Sequence, residues 1–243
     1  MIPYNPLQKY GISLVTAAFS SRQDGNMSLS YGNTRGSIQN RKKFLSGAGI
    51  DYKNLICAKQ VHGKIVKYVT EADKGRGALD FESSFTDTDG FITDKKNVPV
   101  SILTADCLSI FIYDPKRPAV GIIHAGWRGT EQNIAQEGIR SMQANFASQP
   151  HRLLTGFGPS IRSCCFEVEK GFKSNFPYGL SERDGKTFMD ISSINKRQLM
   201  DAGVQEKNIF DPQICTVTDN SNYYSFRKES DAAGRLISVI MLK

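Results

Sequence analysis

The sequence predicts an α+β fold: a single domain of mixed β-sheets flanked by helices, with a metal site in a pocket at strand ends. Three observations predict the class. Apolar runs of strand length recur through the middle of the chain and close it. Only three segments carry helical spacing. The two kinds do not alternate regularly, as a doubly wound sheet requires. No internal repeat or linker interrupts the 243 residues, so one domain over residues 1–243 is expected.

The elements follow in chain order. A first helix is expected near Asn40, running through Phe44 and Leu45 to a stop at Gly47 or Gly49. Residues 65–70 alternate and favour β-branched types, which reads as a strand. Residues 74–80 are polar and glycine-rich, a surface loop. Residues 98–104, 108–113 and 119–124 are apolar runs of strand length, the last two parted by the Asp114-Pro115 turn. Their continuous apolar character implies cover on both faces. Residues 130–147 form the clearest helix, with Thr130 as its cap and Ile134, Ile139, Met142 and Phe146 at helical spacing. A further helix over residues 193–202 stops at Gly203. Residues 214–217 and 236–242 read as closing strands.

Composition bounds the function. Hydrophobic residues make up 40% and charged residues 23%, a balance that excludes a disordered chain. No run approaches the roughly 18 apolar residues of a membrane span. Residues 1–6 lack a basic region followed by an apolar run, so no signal peptide is expected. The net charge of +7 is spread over scattered Lys and Arg. It forms no basic stripe interleaved with aromatics, which argues against nucleic acid and fits an anionic small molecule. Five cysteines, odd in number and irregular in spacing, point to a reducing cytoplasm rather than a disulfide framework.

The chemistry concentrates in three segments. His62 stands in Lys59-Gln60-Val61-His62-Gly63, just before a strand. Cys107 ends Thr104-Ala105-Asp106-Cys107, between two apolar strands. His124 opens His124-Ala125-Gly126-Trp127-Arg128-Gly129-Thr130, between a strand and the clearest helix. One thiolate and two imidazoles suit zinc or copper, and three protein ligands leave a position open, as in catalytic sites. The spacing matches no finger or ribbon, and by spacing alone satisfied histidines and a small buried thiol are preferred. Gly126 to Thr130 reads either as an anion site, with Arg128 and the helix N-terminus as its donors, or as a plain helix-start turn. Trp127 reads as a core or pocket-wall aromatic. Cys164-Cys165, Cys57 and Cys215 read as buried thiols, and His151 as a surface loop residue.

Taken together, the motifs resemble one family. Gln60-Val61-His62-Gly63, Thr104-Ala105-Asp106-Cys107 and His124-Ala125-Gly126-Trp127-Arg128-Gly129 stand in family order. Gly158-Pro159 with Cys165-Phe166-Glu167-Val168, and Tyr224-Ser225-Phe226-Arg227 with Gly234-Arg235, follow them. Phe19-Ser20-Ser21-Arg22 is similar to the family's opening Phe-Ser-Thr-Arg, and Ser28 to Gly32 sits where Leu-Asn-Leu-Gly is usual. The chain resembles the YfiH-type "laccase-domain" family, also called polyphenol oxidoreductase or purine nucleoside phosphorylase, with peptidoglycan editing factor as one branch. It differs from the pattern at Ser30 and at Lys228.

The resemblance implies a His62, Cys107, His124 metal site in an α+β pocket, usually zinc, with copper as the older assignment. It implies phosphorolysis of adenosine, inosine, guanosine and methylthioadenosine, and deamination of adenosine. Phosphate would be held by Arg128 and the helix N-terminus after Gly129, with Arg22 and Arg227 as further candidates. Gln60 is a candidate for substrate contact. Asp106 and Glu167 are candidates to move protons, and Asp106 equally to orient a ligand imidazole.

Other classes compete with this one. Cys107 with His124 as its base would make a cysteine amidase or hydrolase, in a cell-wall editing role for instance. A copper polyphenol oxidase needs more histidines than the three in this chain. A non-catalytic interaction module would show no turnover.

Overall fold

The structure is a computed structural model that describes residues 5–243; residues 1–4 of the N-terminal segment read above lie outside the described residues. Twelve strands and five α-helices are described. The strands are β1 (Val15–Phe19), β2 (Val66–Tyr68), β3 (Gly90–Thr93), β4 (Val100–Thr104), β5 (Leu108–Asp114) and β6 (Ala119–Ala125), then β7 (Leu154–Phe157), β8 (Glu167–Val168), β9 (Leu180–Arg183), β10 (Lys186–Met189), β11 (Ile209–Phe210) and β12 (Leu236–Leu242). The helices are α1 (Thr34–Gly47), α2 (Trp127–Glu131), α3 (Ile134–Phe146), α4 (Ile191–Asp201) and α5 (Phe226–Glu229).

The strands form a six-stranded mixed sheet, β11-β7-β5-β6-β3-β2, and two three-stranded sheets, β1-β12-β4 and β8-β10-β9. This is the α+β class that the sequence predicts. The side-chain alternation of β5 shows how the layers stack. Phe111 and Tyr113 pack with Val100, Ile102 and Ile240 of the β1-β12-β4 sheet. Ile110 and Ile112 point the other way, onto Ile134, Ile139 and Met142 of α3. Strand β12 repeats the logic: Ile240 and Leu242 face the large sheet, and Ile237, Val239 and Met241 face Phe44 and Leu45 of α1. The order is therefore helix, sheet, sheet, helix. Both inner sheets are covered on both faces, which is why their strands read as unbroken apolar runs. Truncating a residue such as Ile112, fully buried here, costs about 2–5 kcal/mol.

Several boundaries differ from the sequence reading. Helix α1 starts at Thr34, capped by Asn33, whose side chain accepts from Gly36 N. The helix expected over residues 130–147 is two helices. Asn133, left-handed at φ 62°, breaks the path between α2 and α3. Gly126 occupies the first N-cap, and Thr130 lies inside α2 with its hydroxyl accepting from Asn195 Nδ2 at 2.9 Å. Helix α4 begins two residues earlier than expected, where the Asp190 side chain accepts from Ser193 N. Residues 214–217 are not a strand. They make one isolated bridge, Ser160 to Cys215, before turning.

Candidate metal centre

The pairing of β5 with β6 sets the site. The two run antiparallel with Leu108 opposite Ala125 and Ser109 opposite His124. Their turn is at the far end, so Cys107, just before β5, is brought beside His124, near the end of β6. His62 arrives from the loop before β2. Its backbone is left-handed at φ 61°, a conformation uncommon for a non-glycine residue. One donor atom from each of His62, Cys107 and His124 lies within 4.8 Å of the other two. The two imidazoles meet edge to face with centroids 4.8 Å apart.

Asp89 ties these pieces together. It is fully buried just before β3, and its Oδ1 accepts from His124 Nδ1 at 2.7 Å. It also accepts from the backbone amides of His62 (3.0 Å), Gly63 (2.8 Å) and Val61 (3.2 Å). One carboxylate thus fixes the ring of one histidine and the strained loop of the other. Burial opposes its charge, but the His124 bond and the loop amides more than offset this and hold its pKa below the ordinary carboxylate range. An ionised acceptor on Nδ1 leaves Nε2 of His124 directed at the thiol side.

The electrostatics favour a thiolate. Burial raises the Cys107 pKa, yet the His124 and His62 rings outweigh it and bring the value down to about 6. Burial likewise works against a charged His124, but Cys107 and Asp89 outweigh it and raise its pKa to about 9. The glycine that follows this strand is needed for space. A Cβ on Gly126 would stand 2.7 Å from His62 Cδ2 and 3.1 Å from Cys107 Sγ. A thiolate with two imidazoles, one braced by a buried carboxylate, fits zinc or copper and disfavours magnesium or calcium.

The three residues line a cavity of about 600 Å³. Trp127, Phe166 and Phe226 form aromatic wall, and Arg128, Arg227 and Arg235 bring positive charge to it. Trp127 packs tilted against Phe172 with centroids 4.9 Å apart, and Arg128 lies 4.3 Å over the Trp127 ring. Asp106 is the only carboxylate among the lining residues.

Residues 11–243 match the family model described as multi-copper polyphenol oxidoreductase laccase. The chain belongs to this family. Within the laccase family it is 30% identical to purine nucleoside phosphorylase YlmD of Bacillus subtilis, over 85% of this chain and 77% of that one. It is 28% identical to a protein named adenosine deaminase RL5, from an unknown prokaryotic organism, over 80% of this chain and 78% of that one. The crystal structure of Bacillus licheniformis hypothetical protein YfiH superposes with a TM-score of 0.91 at 29% identity, covering 94% and 93% of the two chains.

The family motifs named above meet different fates. Arg22 is not among the cavity-lining residues. Its guanidinium pairs with Glu229 at 2.7 Å, donates to the Asn220 and Tyr223 carbonyls, and covers the Tyr224 ring. Glu167 also lies outside the lining and forms an exposed pair with Lys186 at 2.9 Å. Gln60 lines the cavity, but its amide is clamped in both directions to the Leu103 backbone, at 2.8 and 2.7 Å. Asp106 does not orient an imidazole; Asp89 does. The Asp106 oxygens accept from Thr216 Oγ1 and from Arg227 N, both at 2.6 Å. Arg227 donates to the Glu167 carbonyl at 2.9 Å and lines the cavity. The helix terminus expected after Gly129 is absent, because residues 127–131 are already helical. Gly129 is buried against Gly63 O, which a Cβ would approach to 2.8 Å. Cys164 is exposed, not buried as read above.

Two residues escaped the sequence reading, one behind the donor set and one on the cavity wall. Asp89 ends the polar run Thr86-Asp87-Thr88-Asp89, and its only outward sign is its place before the apolar Gly90-Phe91-Ile92. Arg235 was seen only as part of a motif, although it precedes a buried strand as Asp89 does.

Proposed function

We propose that the chain is a metal-dependent purine nucleoside phosphorylase that also deaminates adenosine. The observation that carries the reading is one cavity that combines the His62, Cys107, His124 donor set with aromatic walls and three arginines. Relatives named for phosphorylase and deaminase activity support it. Flat aromatic faces suit a purine, and planar guanidinium groups suit phosphate. Zinc held by the three residues would supply Lewis acidity at the cavity floor, with copper as the other ion the donors accept.

The chain's own groups divide the remaining work. Asp89 holds the His124 ring and the His62 loop in place. Arg128 and Arg227 draw phosphate toward the ribose and offset its charge. Arg227 is set by Asp106, which grips its backbone amide. Asp106, the carboxylate among the lining residues, would take and return a proton through the lone pairs that its bonds to Thr216 and Arg227 leave free. Trp127 and Phe166 exclude water from the base.

Purified protein with zinc restored should release adenine from adenosine only when phosphate is present. It should form inosine from adenosine with or without phosphate. Neither product, from folded and metal-loaded protein, would refute the reading.

One observation favours a second reading. A Cys107 pKa brought down to about 6 beside a His124 pKa raised to about 9 is also the pattern of a nucleophilic thiolate and its base. A metal-bound thiolate is not free to attack, so metal content separates the two. Amide cleavage by metal-free protein, lost in Cys107→Ser, would establish the hydrolase instead.

A further inference from the structure

A second cluster of soft donors lies apart from the cavity. Cys164 and Cys165 stand in a turn before β8, and Cys215 makes the isolated bridge to Ser160. Their three sulfur atoms lie within 4.8 Å of one another, and Cys164 Sγ is 3.5 Å from Cys215 Sγ. Cys164 is exposed, Cys165 half-buried and Cys215 buried, so the group opens to solvent on one side. None of the three lines the cavity that holds Cys107.

We propose that Cys164, Cys165 and Cys215 form a second metal site, for a thiophilic d10 cation such as Zn²⁺ or Cu⁺. Zinc-sulfur bonds are about 2.3 Å, so sulfurs sharing one tetrahedral ion stand about 3.8 Å apart. Cys164 and Cys215 are already near that spacing at 3.5 Å, and Cys165, within 4.8 Å of both, needs to close by at most about 1 Å. A nearby carboxylate does not complete the shell, because Asp211 is held bidentate by Arg162 at 2.7 Å. The ligand set is therefore three thiolates, with water as the remaining ligand of a four-coordinate ion. Binding releases the thiol protons. A disulfide is the less complete account: it would join two sulfurs, leave the third idle and require an oxidant.

The ion would act as a staple. The two segments it joins also frame the cavity. Thr216, next to Cys215, donates to Asp106, and Phe166, next to Cys165, lines the cavity wall. Joining residues 164–165 to residue 215 fixes these two groups relative to one another.

Metal counting tests this directly. Full-length protein, reduced and equilibrated with Zn²⁺, is gel-filtered and analysed for zinc and protein. The parent should hold two zinc ions per chain. Cys164→Ser and Cys215→Ser should each hold one, and so should His62→Ala, which keeps the second site. Cys164 is the first choice because its exposure leaves the fold intact, as circular dichroism would verify. With Cd²⁺ in place of Zn²⁺, the sulfur-to-metal absorbance should persist in Cys107→Ser and fall by more than half in Cys164→Ser. One zinc in both parent and Cys164→Ser would overturn the proposal. A Cys164–Cys215 disulfide in protein kept reduced, found by mass spectrometry, would also overturn it. Nucleoside turnover does not enter these readouts, so the failure of the cavity reading and the failure of this one are distinguishable.

Discussion

Asp89 accepts a 2.7 Å hydrogen bond from His124 Nδ1 while the same carboxylate holds the backbone amides of residues 61–63. The residue therefore controls both imidazoles, one through its ring and the other through its loop. Replacing it separates orientation from ligation.

Asp89→Asn keeps the volume but can present an amide N–H to Nδ1, which favours the wrong tautomer. Zinc affinity should fall about 10–100-fold, as for other partners of ligating histidines. Competitive titration with a chelator measures it. Unchanged affinity would show that the bond is structural only.

Gly126→Ala places a methyl group against His62 and Cys107, at 2.7 and 3.1 Å. The Gly126 backbone, at φ −76°, tolerates alanine. The expected outcome is loss of metal at the cavity with a thermal midpoint close to that of metal-free parent. Retained stoichiometry and affinity would mean that the three donors are looser than they stand here.

Arg22 and Arg227 should respond differently. Arg22→Ala removes an ion pair and two bonds to carbonyls, and should cost about 1.5–3 kcal/mol in denaturant unfolding with the KM for phosphate unchanged. Arg227→Ala should raise the phosphate KM about tenfold or more with a smaller loss of stability. The opposite pattern would return Arg22 to the substrate site.

Glu229 gives a pH test. The hydrogen bond from Arg22 leads the influences that lower its pKa from 4.5 to about 2 in the folded state. A lowered folded value adds stability above pH 4.5, and that stability is lost as the pH falls toward 2. The thermal midpoint of the parent should exceed that of Glu229→Gln at neutral pH, and the gap should close over this window. A gap independent of pH would show that the pair contributes through packing rather than charge.

The sequence was most readable where one local pattern determines the outcome. Strands β5, β6 and β12 are buried throughout and mostly apolar because both of their faces are covered, and continuous burial leaves a nearly continuous signature. The three donor residues were recognisable because distinctive neighbours surround each of them. Asp89 was not, since its partner is 35 positions away and its own neighbours are ordinary polar residues. Gln60 and Arg22 look like substrate contacts in a motif. Only the fold shows that their polar groups are already taken by the Leu103 backbone and by Glu229. The break at Asn133 was hidden for a similar reason. Asparagine is tolerated within a helix, and the left-handed turn it adopts leaves little trace in the apolar spacing on either side.

The pairing of β5 with β6 carries a consequence for how the molecule is made. Every residue of the cradle, from His62 through Asp89 and Cys107 to His124, has left the ribosome well before Arg227 and Arg235 are synthesised. The candidate metal donors, Asp89 and Arg128 are thus written in one stretch of the gene, and the other two cavity arginines in a later one. Drift in the later stretch can retune which guest is admitted while the earlier one stays untouched.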